Sequence, residues 1–148
     1  VFLGGTGAAN KLDDYEEGVF TPELSATGYT FGYTTRNGSY VKVGSMVSVK
    51  IYIRPNGQPS GSGTTTLKVG GLPFTASNVI ASYGGGGIIV ELSDNLFSGV
   101  PAIRSNQNAA FLTIFNVRAG NSPQATLDLS KVDAQDEFEI SMVYHTAA

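Results

Sequence analysis

YVKVGSMVSVKIYIR, residues 40–54, alternates with a period of two on either side of a Gly-Ser pair. Val47, Val49, Ile51 and Ile53 fall on one face and Met46, Ser48, Lys50, Tyr52 and Arg54 on the other, the pattern of a half-buried strand. Gly44-Ser45 is short enough to be the tight turn of a hairpin whose first arm is residues 40–43. Near the other end of the chain Phe138, Ile140, Met142 and Tyr144 alternate in the same way with Glu137, Glu139, Ser141 and Val143. A β-domain is expected around these two segments.

Upstream lies LDDYEEGVFTPEL, residues 12–24, where Asp13, Asp14, Glu16 and Glu17 surround Tyr15. Gly18 then interrupts the run, residues 19–24 alternate as a strand would, and Pro22 points to a strand start or an edge. The segment reads as an extended lead that turns at Gly18 and enters the domain with Phe20 as its first anchor. Residues 1–18 are therefore expected to form a lead-in and hinge, and residues 19–148 the folded domain. In residues 25–39, Asn37-Gly38 is a strong hairpin signal because both positions tolerate positive φ. Tyr29, Phe31 and Tyr33 would share one side of an extended chain, as a core-facing strand or a sugar platform.

Downstream, residues 55–63 read as a loop, and residues 64–69 alternate with Thr65, Leu67 and Val69 inward. Gly70-Gly71 followed by Leu72, Pro73 and Phe74 is expected to make a turn with an apolar plug. Residues 79–83 and 88–93 are strand candidates joined by four glycines, 84–87, read as a loose hairpin loop. Residues 100–105 follow, then 110–118, which is apolar on both faces and so needs cover on both, as a central strand or a subunit interface. A further short strand is expected at 125–129. There is no pattern for a helix of three turns, and about eight to ten short strands at this spacing predict an all-β, antiparallel sandwich or jelly roll.

Composition narrows the function. With 14% charged residues and 19 glycines, the surface is carried by Ser, Thr and Asn between many turns. A net charge of -3 and nine scattered basic residues argue against a nucleic-acid groove. No hydrophobic run approaches the roughly 20 residues needed to cross a bilayer, so a soluble chain without membrane insertion is expected. The absence of cysteine excludes disulfides and thiolate metal sites. His145 is the only histidine, three residues from the end, a poor place to hold a catalytic base rigid. The acidic run lacks the D-x-[DN]-x-[DN]-G spacing of a calcium loop. Its adjacent carboxylates would make a glycosidase pair only if the backbone folded around the substrate. No cofactor, metal site or catalytic residue is expected. A start at Val1 rather than Met suggests the C-terminal piece of a longer chain.

Sugar recognition is better supplied, since it uses flat aromatic faces against pyranose rings and polar groups for the hydroxyls. The candidate ligand-binding residues are Tyr52, Arg54, Tyr33, Arg36, Tyr83 and Arg104. Tyr52 and Arg54 share the strand face opposite Val47 and Ile53. If a second protomer buries that face, they become subunit contacts instead.

Three segments in order, GGTGAANKLDDYEEGVFTPEL (4–24), GSYVKVGSMVSVKIYI (38–53) and LKVGGLPFTASN (67–78), resemble the C-terminal domains of tailed-bacteriophage tail fibres and tailspikes. The resemblance covers residues 4–78. It implies a homotrimeric β-sandwich at the tip of a virion fibre, with residues 1–18 ending an upstream shaft, that recognises bacterial capsule or lipopolysaccharide glycans without catalysis. The alternatives it implies are a trimerisation or capping domain with no ligand, and an accessory domain of a polysaccharide depolymerase.

Overall fold

The computed structural model describes residues 14–63, 66–78, 85–91, 96–97, 99–117 and 127–147. Its strands, in chain order, are β1 (Tyr15–Phe20), β2 (Glu23–Ser25), β3 (Tyr29–Thr30), β4 (Tyr33–Val43), β5 (Met46–Pro55), β6 (Ser60–Gly61), β7 (Leu67–Gly70), β8 (Gly85–Glu91), β9 (Val100–Ser105), β10 (Leu112–Val117) and β11 (Phe138–His145). Nine of them form one sheet in the order β1-β4-β5-β11-β8-β9-β10-β7-β2, and β3 pairs with β6 in a second, small sheet. Every neighbouring pair is antiparallel. Among the described residues there is no α-helix, only a 3-10 turn, Leu129–Lys131, capped by the Asp128 carboxylate, which accepts from Ser130 N and Oγ.

β1 and β2 stand at opposite edges of the large sheet, yet only Thr21 and Pro22 separate them in sequence. Three Cα steps of about 3.8 Å hold Phe20 and Glu23 within about 11 Å of each other. The sheet therefore has to roll until its edges approach. The expected sandwich is one antiparallel sheet curled on itself, and buried Pro22, with no N–H to give to a ladder, marks the corner where the chain changes layer.

Register carries one inward row through the roll: Gly18, Tyr40, Val49, Met142, Gly87, Ile103, Ile114 and Leu67 are successive partners. The alternating residues of β5 (Val47, Val49, Ile51, Ile53) and β11 (Phe138, Ile140, Met142, Tyr144) are all buried, as their periodicity required. Each fully buried aliphatic side chain contributes about 1.5–3 kcal/mol. Leu72 is buried and Phe74 meets the Tyr40 ring edge-on, with centroids 5.3 Å apart, so the expected apolar plug is present.

Several turn expectations are corrected. Pairing of β1 runs straight through Gly18, opposite Tyr40, and the bend comes at Thr21 and Pro22. Asn37-Gly38 lies inside β4, opposite Tyr52 and Ile51, because the Phe20 ring packs on the bare backbone of Gly38. The hairpin turn is at Gly44-Ser45 as read, with Gly44 at φ 58° and Val43 opposite Met46. Gly85, Gly86 and Gly87 are strand residues paired with Tyr144, Val143 and Met142. A Cβ on Gly87 would come 2.8 Å from the Met142 Cβ, so this approach needs glycine rather than a loop. Leu129 belongs to the 3-10 turn, not to a strand. β10 lies between β9 and β7, the central position its two apolar faces called for. The expectations for residues 1–13, Thr64, Thr65, 79–84, 92, 93, 118, 125 and 126 lie outside the described residues.

Candidate functional site

The sheet face turned away from the core carries the accessible chemistry. Glu17, Val41, Ser48, Val143, Gly86, Arg104, Thr113, Lys68 and Ser25 are successive cross-strand partners on it, from edge to edge. This row joins two different surfaces.

The first surface spans β1, β4, β5, β11 and β8. The next row runs Val19, Ser39, Lys50, Ser141 and Ile88, and the one beyond it Asn37, Tyr52, Glu139 and Val90. Together with Phe20, Thr21 and Arg36 they border an open groove of about 950 Å³. Val19 is 85% and Ile88 70% exposed. With Tyr15, Val41, Val43, Met46, Val90 and Val143, they place most of the exposed large hydrophobic residues among those described on this one face. Lys50 and Glu139 take part in no ion pair among the described residues.

The second surface spans β9, β10 and β7. Thr113 sits at its centre, with Arg104 and Lys68 as its partners on either side and Phe111 and Phe115 two residues away along the same face. Lys68 Nζ lies 4.4 Å from the Phe111 ring centre and the Arg104 guanidinium 5.2 Å from that of Phe115. Asn106 Nδ2 donates to Thr113 Oγ1 at 2.8 Å. Cations over aromatic faces thus cover the second apolar face of β10 from within the chain.

The sequence candidates are distributed over both surfaces. Arg36 and Tyr52 border the groove together. Burial pushes the Tyr52 hydroxyl above its usual pKa, and its hydrogen bond to Glu137 adds to the rise. Arg54 fastens the segment before β11: Nε donates to Ala134 O at 3.1 Å and Nη1 lies 3.7 Å from Glu137 Oε1. The Tyr33 hydroxyl is taken up by backbone, donating to Leu24 O at 3.0 Å and accepting from Leu24 N at 2.9 Å. Burial raises its pKa, and the Arg36 guanidinium lies 4.6 Å over its ring while pairing with Glu23 at 2.7 Å. Arg104 belongs to the second surface, and Tyr83 lies outside the described residues. Lys50, Glu139, Lys68, Phe111 and Phe115 were not singled out in the sequence. For Lys50 the outward position in β5 was a usable signal, whereas the Lys68 to Phe111 contact exists only through the β7–β10 pairing.

The acidic run joins β1 to β4. Asp14 Oδ1 accepts from Lys42 Nζ at 2.6 Å, Glu16 Oε1 accepts from the Tyr40 hydroxyl at 2.6 Å, and Glu17 accepts from Tyr15 at 2.5 Å. These carboxylate bonds hold the Tyr40 and Tyr15 protons and raise both pKa values. His145 ends β11 with Nδ1 3.5 Å from Ser45 Oγ. Among the described residues, no three His, Cys, Asp or Glu side chains gather as a metal site.

No protein-family model matches the chain. It is 26% identical over 126 residues to a capsule KN4-specific depolymerase of Klebsiella phage K64-1, a match covering 83% of this chain and 17% of that protein. Its fold superposes on the crystal structure of the Dettilon tailspike protein with a TM-score of 0.69 at 18% identity, over 88% of this chain and 24% of the other. In sequence the chain is similar to a small part of a phage capsule depolymerase, and in fold it is a tailspike-type antiparallel β-domain.

Proposed function

We propose that the chain is a receptor-recognition domain of a phage tailspike or tail fibre, carried on the virion as a homotrimer and binding bacterial capsule or lipopolysaccharide glycan without catalysing its cleavage. The half-buried cluster of Phe111, Phe115, Lys68, Arg104 and Asn106 around buried Thr113, on the outer face of β7, β9 and β10, carries this reading. It sets cations for hydroxyl or carboxylate groups beside half-buried aromatic rings on a rigid strand platform. The similarity to a capsule depolymerase supports the ligand class.

The test is a glycan array of bacterial capsule and lipopolysaccharide sugars probed with the purified chain and with Phe115→Ala and Lys68→Ala. Binding that falls tenfold or more in both variants supports the reading. No hit on any glycan would favour a capping domain without ligand. The depolymerase similarity also supports a second reading, in which the domain is an accessory to a polysaccharide-degrading body. Release of reducing ends by the isolated chain would overturn both.

A further inference from the structure

We infer that the outer surface of β7, β9 and β10 selects its ligand by negative charge, and that the glycan it takes is an acidic polysaccharide carrying carboxylates on its sugars. The inference rests on the glycan-binding reading above and adds to it the substrate class of that same site.

Charge is laid out unevenly along the chain. Twelve Asp and Glu residues outnumber nine Lys and Arg, for a net charge of -3, yet residues 66–78 and 99–117, which contain β7, β9 and β10, hold Lys68 and Arg104 and no carboxylate. Of the strands beside them, β2 brings Glu23, which the Arg36 guanidinium holds at 2.7 Å. β8 brings Glu91, at the far end of that strand from Gly86, the partner of Arg104. Lys68 takes part in no ion pair among the described residues. Charges beyond about 8 Å are largely screened at physiological salt, so a ligand here responds to Lys68 and Arg104 more than to the net charge of the chain.

The rings hold those cations in place. Lys68 lies over Phe111 and Arg104 over Phe115, both at cation-π distance. A cation already held on a ring has less rotamer freedom to lose when a carboxylate arrives. The rings are half-buried with a cation on one face, which makes them supports for charge rather than open platforms for a pyranose. Both cations are cross-strand partners of Thr113, so their backbones stand two strand spacings, roughly 10 Å, apart in one row. A polymer whose carboxylate recurs along its length can engage both, the second contact being intramolecular once the first is made. The groove on the other surface is bordered by Lys50 and Glu139, one of each sign, and has no such preference.

The test is an array of purified bacterial capsule and lipopolysaccharide glycans in three groups: carboxylate-bearing, phosphate-bearing without carboxylate, and neutral. Each carboxylate-bearing hit is printed again after its acids have been reduced to primary alcohols, which removes the charge and keeps the sugar ring. Binding confined to the first group, falling tenfold or more on reduction and weakening as salt is raised, supports the inference. Lys68→Met, which keeps the stem over Phe111 without the charge, should also bind tenfold or more weakly, and Lys68→Arg, which restores the charge, should recover most of the loss. Lys50→Met, in the groove, should bind as the unaltered chain does. Equal binding to neutral glycans, or binding that survives carboxyl reduction, overturns the inference while leaving glycan recognition intact. Hits on phosphate-bearing glycans alone overturn it as well. A loss in Lys50→Met with Lys68→Met unchanged would move the contact to the groove and reject it. No hit in any group overturns both readings. Because reduction alters the ligand and not the protein, that arm decides the matter even should a variant fail to fold.

Discussion

The ring of Phe20 lies on Gly38, its direct cross-strand partner, so closely that a Cβ at residue 38 would come within 2.7 Å of three ring atoms. The next inward pair repeats the relationship in reverse, with the Tyr40 ring over Gly18. Each ring covers backbone that the glycine opposite leaves bare, which anchors β1 to β4 in one register. Gly38→Ala is expected to cost about 1–3 kcal/mol in chemical denaturation by displacing Phe20. Gly18→Ala should cost less, because the atoms it would meet belong to the outer end of the Tyr40 side chain, which can shift at the expense of its bond to Glu16.

Tyr33 uses its hydroxyl as donor and acceptor for both backbone groups of Leu24, on the edge of β2 that pairs with no further strand. Tyr33→Phe leaves that N–H and C=O without the partner they have in the fold. A loss of about 1–3 kcal/mol is expected, read as a lowered denaturation midpoint with an unchanged slope. An unchanged midpoint would mean water replaces the hydroxyl.

Tyr144 is fully buried, and burial pushes its pKa up to about 12, with its hydroxyl donating to Phe74 O at 3.0 Å. In the unfolded chain the group titrates near 10. Between those values the unfolded state releases its proton first, so stability falls as pH rises from about 10 to 12, by up to about 2.7 kcal/mol. Below pH 10 this group adds no slope. Tyr144→Phe should flatten the alkaline decline while costing about 1 kcal/mol at neutral pH, both measurable by denaturation across a pH series.

Lys42 pairs with exposed Asp14 at 2.6 Å, and its ammonium also lies 5.8 Å from the Phe74 ring centre. An exposed pair contributes about 0–1 kcal/mol. Asp14→Asn should therefore change the melting temperature little, whereas Lys42→Ala should cost more, because the aliphatic stem is lost with the charge. Lys42→Met, which keeps the stem, should fall between them. Equal effects from all three would assign the whole contribution to the ion pair.

The strands with unbroken alternation, β5 and β11, and the Gly44-Ser45 turn were legible from residues alone. Burial of every second side chain and the φ demand of a two-residue turn are local properties written within a few positions. Gly18, Asn37-Gly38 and the glycines of β8 misled for the opposite reason. Their local chemistry suits a turn, but Phe20, Tyr40 and Met142 from other strands occupy the space a Cβ would need. The roll of the sheet follows from Thr21 and Pro22 only once β1 and β2 are known to be its two edges. Likewise, Lys68 meets Phe111, Arg104 meets Phe115, and Val19 shares a row with Ile88 solely through antiparallel register between distant segments. The sequence by itself determined which residues are strand-like and which faces are apolar. Tertiary pairing decided which of those faces look inward, which remain open, and what chemistry each open face holds, because hydrogen-bond register between remote strands leaves no periodic trace within either one.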